Sequence, residues 1–191
     1  MGQQSEKKSL GSLKATWKRV ENPPNPREAE KTFTHMIFKH HSLNIGDLHE
    51  YDVDYPNNTW DDIADQINRK HGSALITLKP VYIKDNDQSP TRFSLRPFPD
   101  QWDTTCLGFI YMTIDNVTDL GITSDSENYV EGIEETLLME LKTYEDYLNG
   151  EYYNVDLEFE DYEIYLSGFK TKNRYIPKHE LDSWIRNEWK G

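Results

Sequence analysis

Ser126 to Phe159 reads SENYVEGIEETLLMELKTYEDYLNGEYYNVDLEF, and its periodicity changes once, at Gly150. Before the glycine, Val130, Ile133, Leu137, Leu141, Tyr144 and Leu148 step by three or four, the spacing of one face of an α-helix spanning Ser126 to Asn149. After it, Tyr153, Val155, Leu157 and Phe159 alternate with Asn154, Asp156, Glu158 and Glu160, the spacing of a strand with one apolar face. Glycine suits the junction because it adopts the left-handed conformation that ends helices. A long helix running into an alternating strand predicts an α+β domain with an antiparallel or mixed sheet, about five strands and two or three helices.

Reading outward, Tyr162 to Phe169 is expected as the hairpin partner of that strand, and Pro177 as the opening of a last short helix carrying Leu181, Trp184 and Ile185. Upstream, Leu107-Gly108-Phe109-Ile110-Tyr111-Met112 is the expected central strand. Asp85 to Thr105, with Pro90, Pro97 and Pro99, reads as a long loop. Ala74 to Ile83 reads as a strand, and Pro80 within it implies an edge or a bulge because proline cannot donate to a ladder. Thr59 to His71 reads as a helix capped by Thr59 and Asp62 and stopped by Gly72, with Trp60, Ile63, Ala64 and Ile67 inward. Thr32 to Phe38 is the first strand of a domain covering residues 32–191. Residues 1–31 hold seven cations against four acids, plus Pro23, Pro24 and Pro26, and read as a flexible basic arm.

The charge is unevenly placed. Asp115 to Glu163 holds sixteen carboxylates and one cation, Lys142, a local charge of −15 in a chain whose total is −13. Such a field repels nucleic acid and anionic lipid and attracts basic protein surfaces. The 24 aromatic residues are enough to build a core, unlike those of a disordered acidic tail. A single cysteine, Cys106, excludes an internal disulfide, and the chain shows no leader pattern and no transmembrane run. The expected location is cytoplasmic, with no membrane partner.

Thr34-His35-Met36-Ile37-Phe38-Lys39-His40-His41-Ser42-Leu43-Asn44-Ile45-Gly46-Asp47 joins a strand to histidines, basic residues and a Gly-Asp end. Trp102-Asp103 stands just ahead of Gly108-Phe109-Ile110-Tyr111, and Tyr144-Glu145-Asp146-Tyr147-Leu148-Asn149-Gly150 closes the long helix. In order and spacing these segments resemble a family of small, acidic, cytoplasmic proteins of bacterial phages and mobile elements, over roughly residues 32–160. The resemblance implies a phage or prophage origin and action inside a bacterial host, and it brings no established reaction. The family often has Asp-His-Ser-Gly where this chain has Asp85-Asn86-Asp87-Gln88-Ser89, so a histidine role there is absent.

Catalytic patterns are few. His35, His40, His41 and His49 lie close in sequence with Asp47, Glu50, Asp52 and Asp54, but no His-Glu-x-x-His or Cys-x-x-Cys sharpens a metal reading. Asp85 to Arg96 opens like a calcium loop, yet has proline and arginine where glycine and glutamate are required. No glycine-rich phosphate loop is present. The expectation is therefore a non-enzyme without cofactor or metal: an inhibitor of a host nucleic-acid-handling defence system, of anti-CRISPR or anti-restriction type. Its partner is expected to be the basic surface of a host defence protein, with no direct nucleic-acid contact, and the face is compatible with a homodimer. The partner-binding residues are expected to be Glu127, Glu131, Glu134, Glu135, Asp156, Glu158 and Glu160, with Trp102 and Asp103 as an aromatic hot spot. The alternatives are a small metal-dependent enzyme using His35, His40 or His49 with Asp47, and a non-catalytic adaptor whose arm docks one partner while its acidic face meets another.

Overall fold

The computed structural model describes residues 5–10, 13–29, 31–40, 45–53, 57–72, 74–86, 89–99, 105–126, 128–159, 175–177, 179 and 183. The strands are β1 (Ser5–Leu10), β2 (Leu13–Arg19), β3 (His35–Phe38), β4 (Leu75–Asn86), β5 (Ser89–Ser94), β6 (Thr105–Thr113), β7 (Tyr152–Phe159) and β8 (Tyr175–Pro177). The helices are α1 (Pro26–Ala29), α2 (Trp60–His71), α3 (Ile114–Leu120) and α4 (Tyr129–Leu148). The α+β class holds, but the strands divide into two four-stranded antiparallel sheets, ordered β1-β2-β7-β8 and β3-β6-β4-β5. The chain forms two compact units, one of residues 27–145 and one of residues 1–26 together with 146–191.

In the unit of residues 27–145, β6 is the central strand, as its apolar run predicts. It pairs with β3 on one side and β4 on the other. Gly108 makes the close pairing possible: its φ is +149°, and a Cβ there would lie 2.2 Å from the Ile37 carbonyl oxygen. One face of the sheet carries Ile37, Leu78, Phe109 and Tyr111, packed with Ile63 and Ile67 of α2 and with Val53. Each such side chain stabilises the fold by roughly 1.5–3 kcal/mol relative to exposure. The alternate positions Met36, Ile110 and Met112 are fully buried, as is Leu137 of α4, with Ile133, Leu141 and Tyr144 nearly so.

Helix α2 obeys its local signals. Thr59 Oγ1 accepts from Asp62 N, the Asp62 carboxylate accepts from Thr59 N, and Gly72 ends the helix at φ +68°. Trp60, expected inward, is 42 % exposed and reaches only the edge of the core, where it meets the Phe109 ring at 5.4 Å. Helix α3 and its Thr113–Asn116 cap lie in a stretch where no helix was expected.

One loop expectation in this unit gives way, and one edge expectation holds. Asp85 to Thr105 is not all loop, because Ser89–Ser94 forms β5 and returns along β4. Pro90 misled the reading, since it sits near the start of an edge strand, where a missing N–H costs no ladder bond. Pro80 is indeed at an edge: β5 covers β4 only from Tyr82 onward, and a bulge follows between Val81 and Tyr82.

In the other unit, the segment expected as an arm supplies two strands. Leu13–Arg19 pairs with Tyr153–Phe159, and β1 adds outside it. The alternation of β7 gave it a strand's pattern, and the lysine-rich β2 met it in register, setting Lys14 opposite Glu158 and Thr16 opposite Asp156. The helix end here is a Schellman turn: Glu151 N donates to Asp146 O (2.7 Å) and Gly150 N to Tyr147 O (2.9 Å), with Gly150 at φ +63°. Arg19 caps the same end, donating from Nε to Gly150 O (2.6 Å) and from Nη2 to Asn149 O (2.9 Å). A cation there also complements the helix dipole. Pro177 ends β8, and of the last helix expected after it the described residues His179 and Ser183 are helical. The expected hairpin strand Tyr162 to Phe169 and most of the final helix lie outside the described residues. Among the described residues, no helix is long and apolar enough to cross a membrane.

Candidate functional site

Helix α4 carries two chemically different faces. Ile133, Leu137, Leu141 and Tyr144 face inward, and Val130, expected with them, is 68 % exposed. The outward stripe consists of Glu131, Glu134, Glu135, Leu138, Met139 and Lys142, all exposed. Steps of three, one, three, one and three keep these positions on one side of the helix. Leu138 and Met139 are 52 % and 61 % exposed, so the stripe joins acids to a bare apolar pair. Glu134 lies 3.6 Å from Lys79 Nζ, a contact with both partners well solvated and so worth little. Lys142 pairs with Glu145, whose carboxylate also accepts from Phe93 N.

The inner flank of α4 is held by a buried ion cluster. The Arg27 side chain, 4 % exposed, donates from Nε and Nη2 to both oxygens of Asp47 and from Nη1 to Glu140 Oε2 (2.8, 2.7 and 2.7 Å). Thr34 Oγ1 donates to Glu140 Oε2 (2.6 Å), and Phe33 N donates to Glu140 Oε1. Asp47 is bonded to Met36 twice: its carboxylate Oδ2 accepts from Met36 N and its backbone N donates to Met36 O (both 2.8 Å). Gly46 lets Asp47 reach β3, since at φ +84° a Cβ would lie 2.7 Å from Met36 O. Burial pulls the Arg27 pKa down, but bonding and charge from Asp47 and Glu140 outweigh it, and the guanidinium stays charged. The cluster therefore fixes α4 against β3 and leaves the outward stripe on a firm support.

The region expected to host the metal-enzyme alternative is a histidine–tyrosine cluster. His35 stacks on Tyr111 at 4.7 Å and lies 5.8 Å from His71, ring to ring. His71 Nε2 is 3.1 Å from Tyr51 Oη and 3.3 Å from Tyr111 Oη, and the two phenols are 3.3 Å apart. Burial, opposed in part by Asp47 and reinforced by His71, Arg27 and Lys70, lowers the His35 pKa, which favours neutral imidazole. Burial and then the Tyr51 hydrogen bond push the Tyr111 phenol well above its ordinary range, so it stays protonated. His49 donates from Nε2 to Phe38 O (3.0 Å) and stacks near Tyr51, with ring centroids 6.0 Å apart. His41 lies outside the described residues, and among the described residues no three His, Cys, Asp or Glu side chains gather so as to hold a metal ion. The Cys106 thiol is raised by burial and faces its own strand's Gly108 O at 3.8 Å, a poor setting for a nucleophile.

The expected partner-binding residues are thus divided. Glu131, Glu134 and Glu135 stand together on α4. Asp156 and Glu158 lie on β7, in register with Thr16 and Lys14. Glu127, Glu160, Trp102 and Asp103 lie outside the described residues. Sequence reasoning missed Arg27 as an anchor and placed Glu140 among the general acidity. A signal existed: Glu140 is three residues after Leu137 and four before Tyr144, so it interrupts the apolar face. A buried Asp146 carboxylate accepting from His179 N and paired with His179 Nδ1 (both 2.9 Å) was also missed, because its partner is 33 residues away.

No protein-family model, no curated protein and no solved structure matches this chain.

Proposed function

We propose that this chain is an acidic interaction protein of phage or mobile-element type, acting in the bacterial cytoplasm, that inhibits a host nucleic-acid-handling defence enzyme by covering its basic surface. The observation that carries the reading is the outward stripe of α4, where Glu131, Glu134 and Glu135 stand exposed beside Leu138 and Met139 on a helix anchored from behind. The net charge of −13 supports it by steering association toward a basic partner. The resemblance of residues 32–160 to small acidic phage proteins supports the biological setting. The acids of β7 contribute less than their number suggests, because Lys14 stands in register with Glu158.

The binding is electrostatic at its rim, so it associates fast and weakens as rising salt shortens the Debye length below its physiological value of about 8 Å. The test is capture from bacterial lysate by the tagged protein, at low and high salt, beside an E131K/E134K/E135K variant. The expected result is a nucleic-acid-handling defence enzyme that is lost at high salt and absent from the variant. Capture of the same enzyme by the variant would remove this face from the account.

A further inference from the structure

Resting on that reading of the acidic face, we infer that the outward stripe of α4 receives a basic amphipathic helix of its partner, not a flat or single-stranded basic surface. The stripe from Glu131 to Lys142 is about 16 Å long at 1.5 Å per residue, three helical turns. It begins with the three glutamates and ends with the apolar pair Leu138 and Met139, ahead of Lys142. A partner offering only charge would satisfy the glutamates and leave both apolar side chains in water, with no gain from them. A helix with apolar residues every third or fourth position sets its ridge beside Leu138 and Met139 while its lysines and arginines flank toward the glutamates. Methionine suits this role because its unbranched thioether adapts to the shape laid on it.

Other occupants fit worse. A second copy of α4 would bring six glutamates together against two lysines, and each Lys142 already pairs with Glu145. A nucleic acid would meet the same glutamates with its phosphates. The charge complement of the stripe is cationic and its C-terminal part is apolar, and a basic amphipathic helix is the element that carries both.

The probe is a fluorescein-labelled peptide of leucine and lysine, about 18 residues long so that it exceeds the stripe, with its leucines on one helical face. The control has the same composition with leucines spread around the helix. Both are titrated into the full chain near physiological salt and followed by anisotropy. The patterned peptide is expected to bind roughly tenfold more tightly than the control, a difference that two buried apolar contacts can supply. The L138Q/M139Q variant should erase that preference, leaving both peptides at the control's affinity. Because both side chains are half exposed or more, this variant keeps the fold, as far-ultraviolet circular dichroism would verify. Equal binding of the two peptides, or a preference that survives L138Q/M139Q, overturns the inference. If affinity for both peptides still falls in E131K/E134K/E135K, the acidic-face reading stands without it. Binding that ignores the charge reversal defeats both. A concentration-dependent dimer that L138Q/M139Q dissolves would assign the stripe to a second copy and also overturn the inference.

Discussion

The two faces of α4 are built from the same residue types and do opposite things. Leu137 is fully buried and Leu138, its neighbour, is 52 % exposed. Glu140 is held by Arg27, Thr34 and the Phe33 amide, while Glu135 stands in solvent. Composition therefore cannot assign a role to any of these residues; the position around the helix does. The inner face uses its acid to fix the helix to β3, and the outer face has solvated acids, Glu134 in a weak contact with Lys79, that can meet a partner.

The largest test of that contrast is Arg27→Ala. It leaves the partly buried Asp47 and Glu140 without their cation and should cost about 3 kcal/mol of stability, the low end for a broken buried pair because both carboxylates keep some solvent. Urea denaturation would show it, and a loss under about 1 kcal/mol would mean the cluster does not anchor the helix. Next comes the pair Leu137→Ala and Leu138→Ala. The first should cost about 2–5 kcal/mol and the second less than about 0.5 kcal/mol, measured the same way. Equal costs would erase the distinction between the faces. Removing the α2 cap with Thr59→Ala should cost about 1 kcal/mol, since the hydroxyl's bonds to Asp62 N and to the Asp62 carboxylate are lost while the bond from Thr59 N to that carboxylate remains.

The smallest effect concerns pH. The folded pKa of His35 is lowered, first by burial and then by cationic neighbours. The folded state therefore binds its proton less readily than the unfolded chain, and stability falls as pH drops below the ordinary histidine value of about 6.5. His35→Gln should flatten that part of the profile, with the difference between the two proteins growing from pH 7.5 toward pH 5.5. Parallel profiles across that range would mean that His35 titrates freely.

Signals within a few residues were legible, and signals across the chain were not. The α2 cap depends on Thr59 and Asp62, three residues apart, and the helix-to-strand change at Gly150 is likewise local. Arg27 finds Glu140 across 113 residues, a pairing that no spacing rule contains. Strands β1 and β2 are rich in lysine, and although Leu13, Ala15 and Trp17 alternate with Lys14, Thr16 and Lys18, the run is short and its partner β7 lies far along the chain, so the segment reads as an arm until β7 supplies the register. Strand β5 was hidden by Pro90, whose meaning depends on whether the strand lies at an edge. Of the candidate site, the acids of α4 could be read from sequence, but the exposure of Val130, Leu138 and Met139 could not, because it depends on which stripe of a largely apolar helix meets the sheet.

The central claim is that the outer face of α4, and not acidity in general, selects the partner. Two charge-reversed proteins with similar changes in net charge decide it: E131K/E134K on the helix and D156K/E158K on β7, each compared with the parent in capture from bacterial lysate at low salt. The account predicts that the helix reversal loses the partner while the strand reversal keeps it. Loss of capture in both alike would mean that net charge alone does the selecting, and loss only in the strand reversal would move the site to β7.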